Sequence, residues 1–202
     1  MNKLHLLFLI IFISCNSPNC DILIQNGTII DGTGNPRFIG TVAITNDKVV
    51  YVGPKKNFSA EKIIDAKNKI VSPGFINMLS WGYNTLLKDG RSLSDLKQGV
   101  TLEVFGEGNS PGPVGKIEDQ DFIGFGDAME KLIKNGVSPN IASFLGATNV
   151  RKLTVGYENR DATKNELKEM EQIVETAMKE GALGIGSSLI YAPADYANTN
   201  EL

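Results

Sequence analysis

Residues 71–83 read VSPGFINMLSWGY, and the grammar of the chain changes across them. Upstream of Pro73-Gly74, apolar residues alternate with polar ones and turns come at short intervals. Downstream, short apolar runs alternate with helical stretches. Phe75–Leu79 itself reads as a buried strand whose far end opens at Trp81, Gly82 and Tyr83. That end is where a parallel α/β protein keeps its chemistry, yet NMLSW offers no histidine, cysteine or carboxylate.

From Asp21 to Ser72 the period is two. DILIQNGTII carries β-branched runs on either side of Asn26-Gly27, a strong hairpin signal, and GTVAITNDKVVYVG repeats the device at Asn46-Asp47. KIIDAKNKIVSPG does so again at Lys67-Asn68. Six short strands predict a small antiparallel sheet domain over residues 21–72. Its expected core is Ile22, Ile24, Ile29, Val42, Ile44, Val49, Val50, Val52, Ile63, Ile64, Ile70 and Val71.

Past Pro73 the order is strand, helix, strand. Leu86–Gln98 is a helical stretch interrupted by DGRS, Val100–Phe105 a strand, Asp121–Asn135 a helix closed by Gly136, and Asn140–Leu145 a strand. Thr163-Lys164-Asn165-Glu166 has the spacing of a capping box. Leu167, Met170, Ile173, Val174, Ala177 and Met178 then line one helical face, and Leu183–Ser187 is the fourth strand. Strands recurring after crossover helices imply a parallel sheet with functional groups on the loops after each strand. Those loops are Ser80–Thr85, Gly106–Gln120, Gly146–Ala162 and Ser188–Thr199. The glycines of GFGD and GIGS lack the full spacing of a phosphate loop and read as packing glycines. Glu103, inside a strand, reads as a buried hydrogen-bonding carboxylate.

The first twenty residues are of another kind. Lys3 precedes an unbroken apolar run, Leu6–Ile13, too short for a bilayer span but suited to a secretory leader. Ser14-Cys15 followed by NSPN resembles a bacterial lipoprotein signal, with Cys15 the lipidated residue and the product exported to the cell envelope or periplasm. The alternative is an ordinary cleaved signal, with Cys15 and Cys20 as leftovers or a local disulfide. A chain of 202 residues with 42% apolar and 21% charged residues is globular, and a net charge of −3 without a basic stripe excludes nucleic acid as a partner.

Taken in order, DILIQNGTIIDGTGNP, GTVAITNDKVVYVG, IIDAKNKIVSPGFI, QGVTLEVFGEG, ASFLGATNVR and EGALGIGSSLIYAPADYANTNEL resemble landmarks of the N-acyl-D-amino-acid deacylases, members of the amidohydrolase superfamily. The likeness runs from Asp21 to Leu202. It implies a (β/α)8 barrel, of which about four strands are present over residues 73–202, preceded by a small antiparallel β-sandwich. It also implies hydrolysis of the amide of an N-acyl amino acid by water activated on a divalent metal, by its usual donors zinc.

The departures fall on that metal. The family usually carries Asp-x-His-x-His after PGFI, and here those positions hold Asn77, Leu79 and Trp81. Ala147 stands where many relatives have a histidine. Glu107 lies at or beside a position where some members use a cysteine thiolate, and a carboxylate is a sound zinc ligand, so Glu107 is the one candidate metal ligand. The resemblance puts the remaining ligands and the catalytic aspartate on later strands. The single histidine is His5, in the leader, so no catalytic residue is assigned within these residues and they supply no four-ligand zinc site. Arg151 and Tyr191 match positions that would hold a substrate carboxylate and wall the substrate pocket. TNEL reads as the first turn of a further helix, and the expectation is a truncated, inactive barrel half. Two alternatives stand beside it. One is a non-catalytic scaffold that pairs with a partner chain or with itself through open barrel edges; the other is an envelope-binding lipoprotein attached to the membrane through Cys15.

Overall fold

The computed structural model describes residues 17–115 and 121–202, so His5 and the lipidation candidate Cys15 lie outside the described residues. Contacts divide the chain into two units, Met1–Pro73 and Gly74–Leu202. The fold is α/β with sheets of mixed direction.

The first unit is a five-stranded sheet built from β1 (Asn19–Ile29), β2 (Phe38–Thr45), β3 (Lys48–Gly53), β4 (Ser59–Asp65) and β5 (Ile70–Val71). It corrects the expectation of purely antiparallel pairing. β1 with β2 and β2 with β3 pair antiparallel, whereas β4 and β5 both run parallel to β1. The physical reason lies at the two asparagines. Asn26 adopts φ 64 and the β1 register shifts between Gln25 and Gly27, so Asn-Gly makes a bulge inside one long strand and not a hairpin turn. The Asn26 amide donates to Asp65 Oδ1 at 2.9 Å and ties the bulge to β4. Asn68, at φ 63, moves the chain from β4 to β5 along the same edge of β1 without reversing it. Asn46-Asp47 does close the expected hairpin, between β2 and β3.

The buried centre of this sheet is Cys20, Leu23 and Ala43, against Tyr51, Phe58 and Ala60. Ile29 and Val42 are buried as expected, but Val49, Val50, Val52, Ile63, Ile64 and Ile70 are exposed. A single sheet with no second layer among the described residues of its unit leaves apolar side chains uncovered.

The second unit contains β6 (Phe75–Asn77), α1 (Tyr83–Lys88), α2 (Leu93–Lys97), β7 (Val100–Phe105), α3 (Phe125–Asn135), β8 (Asn140–Ser143), β9 (Leu145–Gly146), α4 (Ala147–Thr154), α5 (Lys164–Lys179) and β10 (Ile185–Gly186). β6, β7 and β8 pair in parallel, as do β9 and β10. The strand expected over Asn140–Leu145 changes partners midway. Phe144 N–H still donates to Phe105 O at 2.9 Å, while Leu145 N–H donates to Gly184 O at 2.8 Å.

Two clusters cover the helix side of these strands. Leu86, Phe105 and Leu132 form one. Phe125, Leu145, Val150, Val155, Met170, Ala177 and Ala182 form the other, with the α5 face laid against it. The capping box is present: Thr163 Oγ1 accepts Glu166 N–H at 3.3 Å and Glu166 Oε2 accepts Thr163 N–H at 2.7 Å. α4 falls inside a segment read as loop. Thr148, Asn149 and Arg151 are among its buried residues, so it shows no apolar period to read. Among the described residues no helix is long and apolar enough to cross a membrane.

Candidate functional site

Because β6, β7, β8 and the β9–β10 pair are parallel within their sheets, their carboxyl ends feed the loops where a site would be built. After β6 the side chain of Asn77 turns to local structure. Its amide donates to Asp95 Oδ1 in α2 and its oxygen accepts Leu79 N–H, both at 3.2 Å. Ser80 N–H extends the ladder to Val104 O at 2.9 Å. The Ser80 hydroxyl donates to Glu103 Oε2 at 2.7 Å and accepts Gly82 N–H at 3.1 Å, and Ser92 donates to Glu103 Oε1 at 2.5 Å. Glu103 is 2% exposed. It is therefore a buried carboxylate whose two oxygens each accept a hydroxyl, in line with the sequence reading.

Met78, Leu79 and Trp81 are exposed at the same strand end. Tyr83 is not on the rim: its ring meets Phe105 edge-on at 6.3 Å and its hydroxyl donates to Ala128 O at 3.3 Å. Burial pushes its phenol pKa up.

The β7 end is fixed by close backbone contact. A Cβ on Gly106 would meet Phe144 O at 2.1 Å, and one on Gly186 would meet Gly106 O at 2.2 Å. Glycine is required where these strand ends touch, which gives the GIGS glycine its packing role. Glu107 follows and is exposed. Its loop is tied to α4 through a buried network that the sequence did not reveal. Asn149 Oδ1 accepts Ser110 N–H at 2.9 Å, and the Asn149 amide donates to Ser110 O at 3.1 Å and Pro113 O at 2.9 Å. Ser110 Oγ accepts Gly146 N–H at 3.0 Å.

Arg151, in α4, is 1% exposed. One terminal nitrogen pairs with Glu201; the other donates to Glu158 O at 3.1 Å and Arg160 O at 2.8 Å. Its Nε has no hydrogen-bond partner among the described residues. Arg151 and Glu201 line a cavity of about 530 Å³ whose walls include Val150, Met170, Val174 and Leu189. Tyr191 is exposed on the segment after β10 and does not line that cavity. Glu107, Arg151 and Tyr191 are thus not gathered in one pocket among the described residues.

The donors of the described residues do not make up a divalent-metal site. Among the described residues no three His, Cys, Asp or Glu side chains gather where an ion could sit, whereas protein zinc sites use three or four such ligands.

No family model matches the chain. It is 28% identical over 195 residues to the D-aminoacylase of Alcaligenes xylosoxydans xylosoxydans, an alignment covering 90% of this chain and 40% of that protein. Its fold superposes with a TM-score of 0.81 on a D-aminoacylase whose crystal structure defines a novel subset of amidohydrolases, at 31% identity over 90% of this chain and 41% of that one. In sequence and fold the chain is similar to the N-acyl-D-amino-acid deacylases. A second structure, N-acyl-D-glutamate deacylase from Bordetella bronchiseptica complexed with zinc and a phosphonate mimic of the tetrahedral intermediate, matches at a TM-score of 0.80 and 25% identity, over 91% of this chain and 41% of that one. The chain spans about two-fifths of the length of the relatives it matches. The sequence and structural matches each cover nine-tenths of this chain.

Proposed function

We propose that the complete protein is an amidohydrolase that cleaves the amide of an N-acyl-D-amino acid, releasing a carboxylate and the free amino acid. The observation that carries this reading is agreement with D-aminoacylase in sequence and fold over nine-tenths of the chain. In the same reading, the parallel strands of the second unit belong to a (β/α)8 barrel and the N-terminal sheet to a β-sandwich. Zinc would supply polarisation of the amide carbonyl in the complete enzyme, with Glu107 the one residue here offered to it. In the complete enzyme Tyr191 is assigned to the wall of the substrate pocket, although it lies outside the Arg151 cavity among the described residues. Arg151 Nε, a buried donor without a partner among the described residues, is the group available to a substrate carboxylate. Residues 1–202 alone are inactive. The protein is exported, with lipid on Cys15 attaching it to the membrane; a Cys15→Ser variant should then lose fatty-acid labelling.

A second reading is a non-catalytic scaffold that takes its missing strands from another polypeptide or a second copy. It is favoured by the exposure of Phe75, Ile76, Leu183, Ile185 and Ile190 on and beside the outermost strands. The deciding measurement is free-amine release from N-acetylated D- and L-amino acids by the full-length gene product. Turnover restricted to the D series is expected for the deacylase. Absence of turnover, with dimers or hetero-complexes in light scattering, would transfer the case to the scaffold.

A further inference from the structure

The deacylase reading brings a metal-gripping motif to the end of β6, and the side chains found there do something else. Asn77 uses its amide on Asp95 and its carbonyl oxygen on Leu79 N–H. Asp95 has its second oxygen engaged by Ser94 at 3.0 Å. Both Glu103 oxygens accept serine hydroxyls, and Ser80 accepts Gly82 N–H in turn. The polar side-chain oxygens of this strand end therefore all have partners in the protein.

We infer that the end of β6 in this chain is a closed hydrogen-bond clasp and not a cation site, so that Asn77, Ser80, Ser92, Asp95 and Glu103 fix the rim mechanically and bind no divalent ion. This rests on the deacylase reading only in expecting a metal there at all. Three physical points carry it. Glu103 is the one carboxylate buried at the clasp, and an ion reaching it would have to strip two hydroxyl donors inside a desolvated site. The residues at the family's imidazole positions, Leu79 and Trp81, present an alkyl chain and an indole, neither of which is a ligand for zinc. Asn77, whose carbonyl oxygen is a legitimate ligand for a hard cation, spends that oxygen on a backbone N–H. The clasp also joins three elements, the β6 loop, α2 and β7, which is a structural duty an ion would otherwise perform.

The test is a zinc titration of the 202-residue chain, read by thermal melting and by equilibrium dialysis, alongside Asn77→Ala and Glu103→Gln. Zinc at about a hundredfold excess over its dissociation constant raises the melting temperature of a protein this size by roughly 5–10 °C. The wild type is expected to show no rise that either substitution removes. A rise lost in Asn77→Ala or Glu103→Gln would overturn the inference. Zinc bound equally by all three proteins lies elsewhere in the chain and leaves the clasp as described. Should Glu103→Gln fail to fold, Asn77→Ala decides alone. Hydrogen exchange adds an independent arm: the amides of Leu79 and Ser80 should lose protection in Asn77→Ala and be indifferent to zinc. A rise in their protection on adding zinc to the wild type would equally overturn it. Failure of the deacylase assay leaves this result untouched, and zinc captured at Asn77 leaves the deacylase reaction standing.

Discussion

Two sides of the second unit are built from the same kind of strand and end in opposite states. At β9, Leu145 is wholly buried among Phe125, Val150 and Met170, and the α5 face closes over it. At β6, Phe75 and Ile76 are exposed, as are Met78, Leu79 and Trp81 just beyond. Both strands are apolar by sequence. What separates them is cover, because a parallel strand has two faces and its own crossover helix buries only one. Hydrophobicity along a strand thus states how much cover the strand needs, and the neighbours decide whether the need is met. The polar groups divide along the same line. Beside α4, Arg151 is sunk with Glu201 into an ion pair, whereas at β6 the buried carboxylate is held by neutral hydroxyls.

The sharpest way to break this comparison is to remove one charge on the well-covered side. Arg151→Ala leaves Glu201 buried and unpaired, and should cost about 3–5 kcal/mol of stability in urea unfolding. Replacing both partners by apolar residues, Arg151→Met with Glu201→Leu, should restore most of it. A single substitution that costs under about 1 kcal/mol would mean the pair is effectively solvated, and the contrast between the two sides would lose its electrostatic half. Next in size is the apolar contrast itself. Leu145→Ala should cost about 2–5 kcal/mol through lost burial and a residual cavity, while Leu79→Ala should stay within about 0.5 kcal/mol. Equal costs at the two positions would show that Leu79 is covered in solution.

Much of this architecture is legible in the chain. The change of grammar at Pro73-Gly74, the four parallel strand positions and the capped helix at Thr163 all follow from period, length and capping chemistry. What is not legible has a common cause. Asn26-Gly27 and Lys67-Asn68 carry the local signature of a reversal, but one left-handed residue serves a bulge as well as a turn, and only the partner strand decides between them. α4 hides because its buried residues are polar, and their burial makes sense only once Ser110 and Glu201 are beside them. Glu103 is legible from its place in a strand, whereas Glu107 is singled out by the resemblance alone and is exposed in the structure. Ser80, Ser92 and Asn149 had no signal, since a serine or asparagine that ends a network looks in sequence like any loop residue.

The smallest effect concerns the entrance to α5, where the well-covered side meets water. Glu166 is drawn down to about 2, first by the hydrogen bond from Arg160 and then by the Thr163 backbone N–H. Arg160 grips it with two nitrogens, at 2.9 and 2.7 Å. A carboxylate whose folded value lies below its unfolded one stabilises the fold above the ordinary glutamate range, and that contribution disappears as pH falls through the folded value. The window here therefore runs from about 4.5, the ordinary value, down to about 2. Asp89 is held down from 3.8 to about 2 by Arg91, a window that overlaps this one, so the wild-type curve alone does not isolate Glu166. The difference between wild type and Glu166→Gln does. Glutamine keeps an oxygen for Thr163 N–H but has no charge for Arg160, so the wild type's advantage should be largest near pH 6 and vanish toward pH 2. Because the pair lies near the surface, added salt should shrink that advantage at pH 6 as well. An advantage independent of both pH and salt would assign the helix entrance to the hydroxyl and amide bonds of the capping box alone, and the charged groups beside it would be bystanders.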